Sequence, residues 1–457
     1  MLSETLNVAL RSGGDFAEVF AEDRTSSSGR LDDGRVEELV SGRRRGAGVR
    51  VVRGETTGYA HTADLSPAGL RAAAEASAAA ARGAPGEPAL VPLERRDVTP
   101  APIVVPPDAV DKSRKVELLE RADAAARDRG DAVRQVSAGY ADGRRHILVA
   151  NSDGVLVEDD QVRTRFSVTC VAVGDTGLRT GTEAPGRTVG FELFDEIAPE
   201  AIATTAADRA IAMLAAKPAP SGPIPVVLRR GAGGVLFHEA CGHGLEADLV
   251  DRDASVFRDR VGTRVAAPMV SLVDDGTYAR EWGTYTVDDE GAPAGRTTLI
   301  EDGVLTDYLW DGVRARKAGR PSTGNGRRET YQHLPMVRMT NTYLLAGDDD
   351  PDDIIANTPF GLYCVALGGG QVDTATGDFV FGVTEAYLIE QGRITAPVRA
   401  AQLIGNGPEV LRRIDAVGSD FDTWAGTCGK NGQGVPVSAG QPTLRVSELT
   451  VGGTARD

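Results

Sequence analysis

Two histidines and a carboxylate form the stretch of this sequence whose residue types are best suited to chemistry. Glu239 directly follows His238, and a second histidine, His243, lies five positions after the first. Imidazole nitrogens are common zinc ligands, and a carboxylate beside such a ligand can act as a base toward an attacking water. These residue types therefore predict a zinc hydrolase in which His238 and His243 bind the metal and Glu239 is the catalytic base.

The spacing of the two histidines differs from the usual HExxH pattern, in which they lie four residues apart on one helix face. Five residues of ideal α-helix rotate the side chain by about 140°, onto another face. Both histidines can bind one metal only if the helix widens or ends between them, as in a one-turn π-bulge. The sequence therefore predicts an irregular backbone between Glu239 and Gly244, where Gly242 and Gly244 would ease unwinding. A regular helix would instead hold two hydrogen-bonded histidines and a surface glutamate.

A catalytic zinc site needs a third protein ligand and a position left open for water, and spacing alone leaves that ligand undecided. Cys241 lies three residues after the first histidine and would share its helix face. Cys428 has glycines close by on both sides, which permit close approach of the backbone, and Lys430 would favour its thiolate form. Glu246 and Asp248 are further candidates, although such carboxylates more often are solvated or cap a helix end.

The remaining cysteines are expected to have no role in chemistry. All four cysteines are widely scattered, and in a large cytosolic protein they should stay reduced. Cys170 and Cys364 lie in apolar, strand-like segments and are predicted to be inert core thiols.

Composition and charge exclude several classes of function. The net charge of −16 argues against a nucleic-acid-binding surface, because neutralising phosphates requires clustered lysine and arginine. The basic cluster at 43–45 is predicted to be a solvated hairpin turn. The N-terminus does not resemble a signal peptide, and no apolar run approaches the roughly 18–20 residues that span a bilayer. We therefore expect a cytoplasmic protein with no nucleic-acid and no membrane partner.

The order of predicted elements indicates an α+β protein of several domains, since 457 residues exceed one ordinary domain. Residues 1–82 are predicted to form an N-terminal α/β domain of helix and antiparallel sheet. A proline-rich linker is predicted at 83–110 and a central α+β domain at 111–220. Residues 221–457 are predicted to form a β-rich sandwich or barrel-like domain that carries the motif helix.

Short local signals predict several element boundaries. Ser66 followed by Pro67 indicates the start of a helix, with the serine as N-cap. Asp-Gly pairs between alternating segments predict hairpin turns. These pairs are Asp142-Gly143, Asp153-Gly154 and Asp302-Gly303.

Several stretches in the second half of the chain carry a resemblance to a known family. They are HEACGHGLE at 238–246, DDEG at 288–291, TGNGRRE at 323–329, MTNTY at 339–343, GGGQVD at 368–373, TEAYL at 384–388, CGK at 428–430 and GQPTL at 440–444. On these motifs, which cover most of residues 223–453, the sequence resembles the TldD-type zinc metalloproteases, the motif-bearing half of the TldD/TldE (also called TldD/PmbA) pair. The first half of the chain resembles that family mainly in layout.

The resemblance implies a specific site and assembly. It implies that His238, His243 and Cys428 bind Zn²⁺ and that Glu239 is the catalytic base, and so favours Cys428 over Cys241. It also implies dimerisation with a TldE/PmbA-like partner subunit that lacks the metal motif. The zinc would lie in a cleft enclosed by the dimer, which admits extended, flexible or unfolded peptides.

The leading hypothesis is a zinc-dependent peptidase that hydrolyses amide bonds of unfolded or short flexible peptides, including the maturation of a peptide natural product. One alternative is a specialised zinc amidohydrolase that acts on a small conjugate. Another is a non-proteolytic regulatory or binding protein with structural zinc, although a structural site has no need of an adjacent base. The sequence is compatible with a heterodimer and with a homodimer.

Overall fold

A computed structural model of the chain describes residues 1–81, 92–231 and 233–455. The predicted linker at 83–110 lies partly outside these residues, since 83–91 is not among them. The α-helices of the described residues are α1 (Leu2–Leu10), α2 (Pro67–Ala80), α3 (Lys112–Arg127), α4 (Leu193–Glu196), α5 (Pro199–Ala212), α6 (Gly234–Phe237), α7 (Ala247–Asp251), α8 (Gly312–Lys317), α9 (Pro351–Ala356) and α10 (Gly407–Arg412).

The strands are numbered in chain order. Those before residue 220 are β1 (Phe16–Asp32), β2 (Arg35–Arg53), β3 (Thr56–Thr62), β4 (Glu94–Arg96), β5 (Val133–Asn151), β6 (Val155–Gly174), β7 (Gly177–Glu183), β8 (Gly186–Arg187) and β9 (Lys217–Pro218). Those after it are β10 (Gly222–Leu228), β11 (Leu272–Asp275), β12 (Arg296–Glu301), β13 (Val304–Leu305), β14 (Gly326–Arg327), β15 (Met336–Val337), β16 (Asn341–Leu344), β17 (Phe360–Val372), β18 (Asp378–Glu390), β19 (Arg393–Arg399), β20 (Gln402–Asn406), β21 (Ile414–Val417), β22 (Asp422–Lys430), β23 (Gln433–Gln441) and β24 (Leu444–Gly452).

The first sheet unites the N-terminal and central parts of the chain. Its strand order is β3-β2-β1-β5-β6-β4, and β7 and β8 pair with β6. Strand β1 pairs antiparallel with both β2 and β5, so this sheet continues across the two units that the sequence separates. The domain boundaries predicted from the sequence remain a prediction.

Helices cover one face of this sheet, and the C-terminal half of the chain covers the other. Side chains alternate between faces along a strand. Val19 of β1 packs with α1 and α2, and Tyr140 of β5 packs with α3 and α5. On the opposite face, Phe20 packs against Val287 and Tyr331 of the C-terminal half.

The second sheet closes into a barrel. Its order is β17-β10-β24-β20-β18, and β18 pairs again with β17, while β19, β9 and β21 attach outside this ring. The largest apolar core lies here and includes Leu228, Phe381 and Val446, together with Phe237 from the motif. The prediction of an α+β fold with a β-rich, barrel-like C-terminal region is confirmed.

The third sheet has the order β13-β12-β11-β16-β23-β22, which makes β22 an outermost strand. Helix α6 lies against β23, where a Cβ on Gly234 would come within 2.6 Å of the backbone of Gly440. This close approach brings the end of α6 next to the β22–β23 hairpin.

The helix start at Ser66 and two of the three predicted Asp-Gly turns are confirmed. The Ser66 hydroxyl accepts a hydrogen bond from the Gly69 amide, as expected of an N-cap. The turns at Asp153-Gly154 and Asp302-Gly303 are confirmed, because each lies between two paired strands.

Two turn predictions are wrong. Strand β5 runs straight through Asp142 and Gly143, since it is paired along both edges, with β1 and with β6. The arginines at 43–45 lie exposed within β2 and not in a turn.

Candidate metal centre

The helix that carries the two motif histidines widens where the spacing predicts it. Helix α6 ends at Phe237, a π-helical turn spans His238–Gly242, and a 3₁₀ turn spans His243–Leu245. The His243 amide donates to the His238 carbonyl, five residues earlier, which is the π-helical pattern. The wider turn rotates His243 less per residue than an α-helix would. The predicted irregularity between Glu239 and Gly244 is therefore confirmed.

The glycines of the motif serve close packing and not a left-handed backbone. Gly242 has a φ of −57°, which any residue adopts. A Cβ on Gly242 would come within 2.2 Å of Met339 Sδ, and one on Gly244 within 2.9 Å of the Phe257 ring. The sequence interpretation, in which these glycines ease unwinding, is replaced by a steric one.

Three side chains from distant parts of the chain meet beside this turn. The ligand atoms of His238, His243 and Cys428 all lie within 4.8 Å of one another, and all three residues are buried. Cys428 Sγ is 3.3 Å from His243 Nε2. The two imidazole rings are 5.2 Å apart and nearly perpendicular, at 83°. The arrangement points two nitrogens and one sulfur at a common volume.

The two candidate cysteines differ in their surroundings. Cys241 lies in the apolar barrel core, and burial raises the pKa of its thiol. Burial also raises the pKa of Cys428, but the imidazoles of His238 and His243 outweigh it and lower the pKa to about 4. A thiolate is the form of cysteine that binds metals. The structure thus brings Cys428, and not Cys241, to the histidines.

The other two cysteines behave as predicted for core thiols. Cys170 and Cys364 are fully buried in separate apolar clusters. Burial raises the pKa of Cys170 to about 11 and also raises that of Cys364.

The outer nitrogen of His243 is held by a buried carboxylate. His243 Nδ1 is 2.8 Å from Glu246 Oε2, and the carboxylate acceptor fixes the proton on Nδ1, which leaves Nε2 free to bind a metal. Burial lowers the pKa of His243, but Glu246 and Cys428 raise it well above its usual value. Burial raises the pKa of Glu246, while His243 and Lys430 bring it down to about 2.

Lys430 links the two segments that carry the metal-binding candidates. Its ammonium donates to Glu246 Oε2 at 2.8 Å, to Asp248 Oδ1 at 2.7 Å and to the Val337 carbonyl at 3.1 Å. These contacts use all three donors of a lysine. Glu246 and Asp248, candidate ligands from the sequence, lie outside the His-His-Cys group and pair with Lys430. Lys430 therefore meets carboxylates, where the sequence interpretation placed it beside the thiolate.

The chemistry of this group fits zinc. Neither ring nitrogen of His238 has a hydrogen-bonding partner among the residues that the structure describes, although both are buried. A buried polar atom without a hydrogen-bonding partner destabilises the folded protein unless a ligand or ion binds it. Two imidazoles and one thiolate are ligands that zinc prefers, and three protein ligands leave a fourth position open.

Glu239 lies at the open side of the group. Its side chain is 32% exposed, and Oε2 is 3.6 Å from His243 Nε2. It therefore lies beside the volume that the three side chains face, while remaining reachable from solvent.

Arg338 is a supporting residue that the sequence did not reveal. It is fully buried and donates to the carbonyls of Cys428 and Gln433, one on each strand of the β22–β23 hairpin. Its position beside the MTNTY motif was the available signal, but nothing in the spacing links residue 338 to residue 428.

The loop at 323–329 packs against the segments next to the site and holds them through hydrogen bonds. Asn325 donates to Asp274 Oδ2 at 2.7 Å, and Arg327 donates to the carbonyls of Met339 and Pro436. Both residues are buried. These contacts give the glycine-rich loop a structural role.

Comparison with known proteins assigns the chain to a family. Three family models match it: PmbA/TldA metallopeptidase domain 1 over residues 17–81, the central domain over 105–214 and the C-terminal domain over 221–453. A Haemophilus influenzae protein named metalloprotease TldD homolog is 42% identical, over 96% of this chain and 93% of that protein. A Saccharolobus solfataricus zinc metalloprotease TldD homolog is 29% identical, over 70% and 72%.

Solved structures share the fold. TldE from Thermococcus kodakarensis superposes with a TM-score of 0.80 at 19% identity, over 99% of this chain and 100% of that one. A Thermotoga maritima protein, described as a candidate modulator of a DNA gyrase, has a TM-score of 0.81 at 22% identity, over 99% of both chains.

The family models and the named relatives identify the class of this protein as a metallopeptidase. The chain belongs to the TldD/PmbA family of metalloproteases. No helix within the described residues is long and apolar enough to cross a membrane.

Proposed function

We propose that this chain is a zinc-dependent peptidase that hydrolyses amide bonds of unfolded or short flexible peptides in the cytoplasm. The observation that carries the proposal is the buried His-His-Cys group beside a partly exposed carboxylate, Glu239. Peptide or natural-product maturation is one use of such an activity.

His238, His243 and Cys428 would hold the zinc through imidazole nitrogens and a thiolate. When bound, zinc supplies Lewis-acid chemistry, which polarises a carbonyl and lowers the pKa of water. The name of the Saccharolobus solfataricus relative, a zinc metalloprotease, supports this choice of metal.

Glu239 would act as the general base. Its carboxylate would take the proton of the attacking water and pass it to the leaving amine of the cleaved amide bond. The 3.6 Å contact with His243 Nε2 sets this carboxylate next to the volume that the ligands face.

Glu246 and Lys430 would position the ligands without touching substrate. Glu246 orients His243 through Nδ1, and Lys430 ties Glu246 to the hairpin that carries Cys428. Such partners of metal-binding histidines set ligand orientation and metal affinity.

An extended peptide is the substrate form that the sheet architecture favours. Among the described strands, β22 pairs only with β23, so its other edge offers unpaired backbone donors and acceptors. An extended chain can add to such an edge with little demand on its side chains. A compact folded protein offers little unpaired backbone, which supports a preference for unfolded peptides.

A TldE/PmbA-like subunit is the partner we propose, with a second copy of this chain as the alternative. The relation to TldE from Thermococcus kodakarensis is one of fold and supports association between similarly shaped chains. Co-purification of the chain from its native host, followed by mass spectrometry, distinguishes the two assemblies.

Degradation of an unstructured, casein-like protein tests the proposed activity. We expect cleavage by the zinc-loaded assembly, its loss on chelation and its return when zinc is added back. A folded, disulfide-stabilised protein is the control and should stay intact. Zinc-loaded protein that cleaves no peptide, alone or with its partner, would favour an amidohydrolase of small conjugates or a structural zinc.

A further inference from the structure

A row of arginines crosses the face of the first sheet that meets the C-terminal half of the chain. Strand register places Arg44 of β2 opposite Arg24 of β1, and Arg24 opposite Arg145 of β5. Directly opposite residues of antiparallel strands lie on one face, with Cβ atoms about 4.5–5.5 Å apart. Like charges at such positions destabilise a sheet, so negative charge near this row would stabilise it.

Protein carboxylates compensate only part of this row. Arg145 pairs with Glu22 and Asp289, each at 2.7 Å. Neither Arg24 nor Arg44 forms an ion pair with any residue that the structure describes.

A further arginine lies next to the row and forms no ion pair within the part of the chain that the structure describes. Arg163 of β6 is opposite Gly143 of β5, which in turn is opposite Ser26 of β1, two residues from Arg24 and on the same face. Its guanidinium donates to three neutral oxygens, the carbonyls of Trp282 (2.8 Å) and Thr284 (2.7 Å) and Gln161 Oε1 (3.1 Å). Burial, Arg327 and Arg145 lower the pKa of Arg163 to about 9. The guanidinium is therefore partly desolvated in a positive surrounding.

Three of these arginines, Arg24, Arg145 and Arg163, line a cavity of about 250 Å³. Its wall includes Arg24, Arg145, Arg163, Trp282, Thr427 and Gly434. Two carboxylates also line it, but Asp142 pairs with Lys115, and Glu329 Oε2 accepts a hydrogen bond from the Gly434 amide. Gly143 leaves room in it, because the nearest atom to a Cβ there would be the Thr25 carbonyl, 3.5 Å away. A glycine inside a strand often marks such an approach of a ligand or another backbone. The volume suits one small anionic group.

The cavity adjoins the hairpin that carries Cys428. Thr427 and Cys428 are neighbours in β22, so their side chains point to opposite faces of the hairpin, the first toward the cavity and the second toward His243. Since the outer edge of β22 pairs with no strand among the described residues, a peptide that passes around this edge reaches both faces.

We propose that this cavity, the arginine hollow, binds a carboxylate of the peptide substrate, which deepens the proposed peptidase function and rests on it. Guanidinium groups bind carboxylates through two parallel hydrogen bonds. The net charge of −16 otherwise repels acidic peptides, so a local cationic subsite would give them a defined register on the enzyme. The carboxylate is that of an aspartate or glutamate side chain or of the peptide C-terminus.

Peptide binding to the full-length, zinc-loaded Glu239→Ala chain tests the proposal without any cleavage. Fluorescence anisotropy compares a labelled unstructured peptide containing glutamate with its glutamine counterpart, each with a free or an amidated C-terminus. We expect the carboxylate-bearing peptide to bind about tenfold more tightly or better, the effect of one charge-assisted contact. Comparing glutamate with glutamine, and the free with the amidated C-terminus, identifies which carboxylate is bound.

Substitutions of the cavity arginines test whether the arginine hollow causes the tighter binding of the carboxylate peptide. Adding Arg163→Gln or Arg24→Gln should remove the preference, while Arg163→Lys should keep part of it. The matched control is Arg144→Gln, which removes the same charge from the opposite face of β5, where Arg144 pairs with Asp160. Unchanged zinc content and circular dichroism show that each variant is folded.

Two results would overturn the proposal. One is equal binding of the carboxylate and amide peptides in every arm. The other is a preference that Arg163→Gln and Arg24→Gln leave as intact as Arg144→Gln does. The proposed peptidase function fails separately, if the wild-type chain binds these peptides and cleaves none of them.

Discussion

Cys428 and Cys241 have opposite surroundings, although both are buried near the motif histidines. Cys428 Sγ lies 3.3 Å from His243 Nε2, whereas Cys241 packs in the barrel core. Cys428→Ser should therefore lower zinc content well below one per chain, because a hydroxyl is a poor substitute for a thiolate ligand. Metal analysis after gel filtration checks this.

Cys241→Ala is the matched control for that substitution. It removes a sulfur at similar burial and should leave zinc content unchanged. If zinc is lost with Cys241 and kept without Cys428, our choice of the third ligand is wrong.

Lys430 is expected to set metal affinity from outside the ligand set. Removing its ammonium by Lys430→Met leaves Glu246 and Asp248 buried without their cation and frees the hairpin from α7. Loss of a partner behind a metal-binding histidine typically costs about 10–100-fold in affinity. Competition with a chromophoric chelator measures the zinc dissociation constant. Lys317→Met, at a surface pair with Glu55, is the control and should leave that constant unchanged.

At the scale of elements, the π-helical turn depends on the absence of a side chain at position 242. A Cβ there would lie 2.2 Å from Met339 Sδ, so Gly242→Ala should cost roughly 1–3 kcal/mol of stability and weaken zinc binding. Urea unfolding measures the first effect and chelator competition the second. Gly369→Ala, which meets no atom within 4 Å, is the control.

A double-mutant cycle checks the steric explanation. If the clash with Met339 is the cause, Gly242→Ala should cost less in a Met339→Ala background than in the wild type. Equal costs in both backgrounds would point to the backbone and away from this contact.

Secondary structure could be predicted from the sequence where residue spacing within a short segment determines it. Five-residue spacing required a widened helix, and the structure has a π-helical turn at His238–Gly242. The Asp142-Gly143 turn prediction failed because pairing along both edges of β5 overrides the turn preference of two residues. Local sequence does not report such long-range pairing.

The cysteine of the His-His-Cys group was also beyond what local sequence could predict. Residues 243 and 428 are separated by most of the C-terminal half, so spacing offered no reason to prefer Cys428 to Cys241. Only the resemblance of the CGK motif to a known family did so. For Arg338, which holds the backbone of that hairpin, the position beside the MTNTY motif was a signal, but it did not point to residue 428.

At the scale of the whole molecule, a buried ionic network joins the first sheet to the C-terminal half. Arg328 pairs with Glu18, Arg50 pairs with both Glu18 (2.8 Å) and Glu290 (2.7 Å), and these residues are almost fully buried. Arg328→Met would leave Glu18 with one cation in place of two. Breaking a buried pair on one side typically costs about 3–5 kcal/mol, so we expect a loss of that size in urea unfolding.

A surface ion pair provides the comparison. Arg121 and Glu200 pair on the exposed side of α3 and α5, and Arg121→Met should cost at most about 1 kcal/mol. Equal losses for Arg328→Met and Arg121→Met would mean that the buried network does not hold the two halves together.

The Glu239→Ala variant shows whether Glu239 is the base of a zinc peptidase. Zinc content and the rate of cleavage of an unstructured peptide are measured together, with Glu301→Ala as a surface control. We predict zinc near one per chain in all three proteins, because Glu239 lies outside the His-His-Cys group. Cleavage by Glu239→Ala should fall by about 10²–10⁴-fold, the usual contribution of a general base. Cleavage at the wild-type rate with zinc retained would mean that Glu239 is not the base.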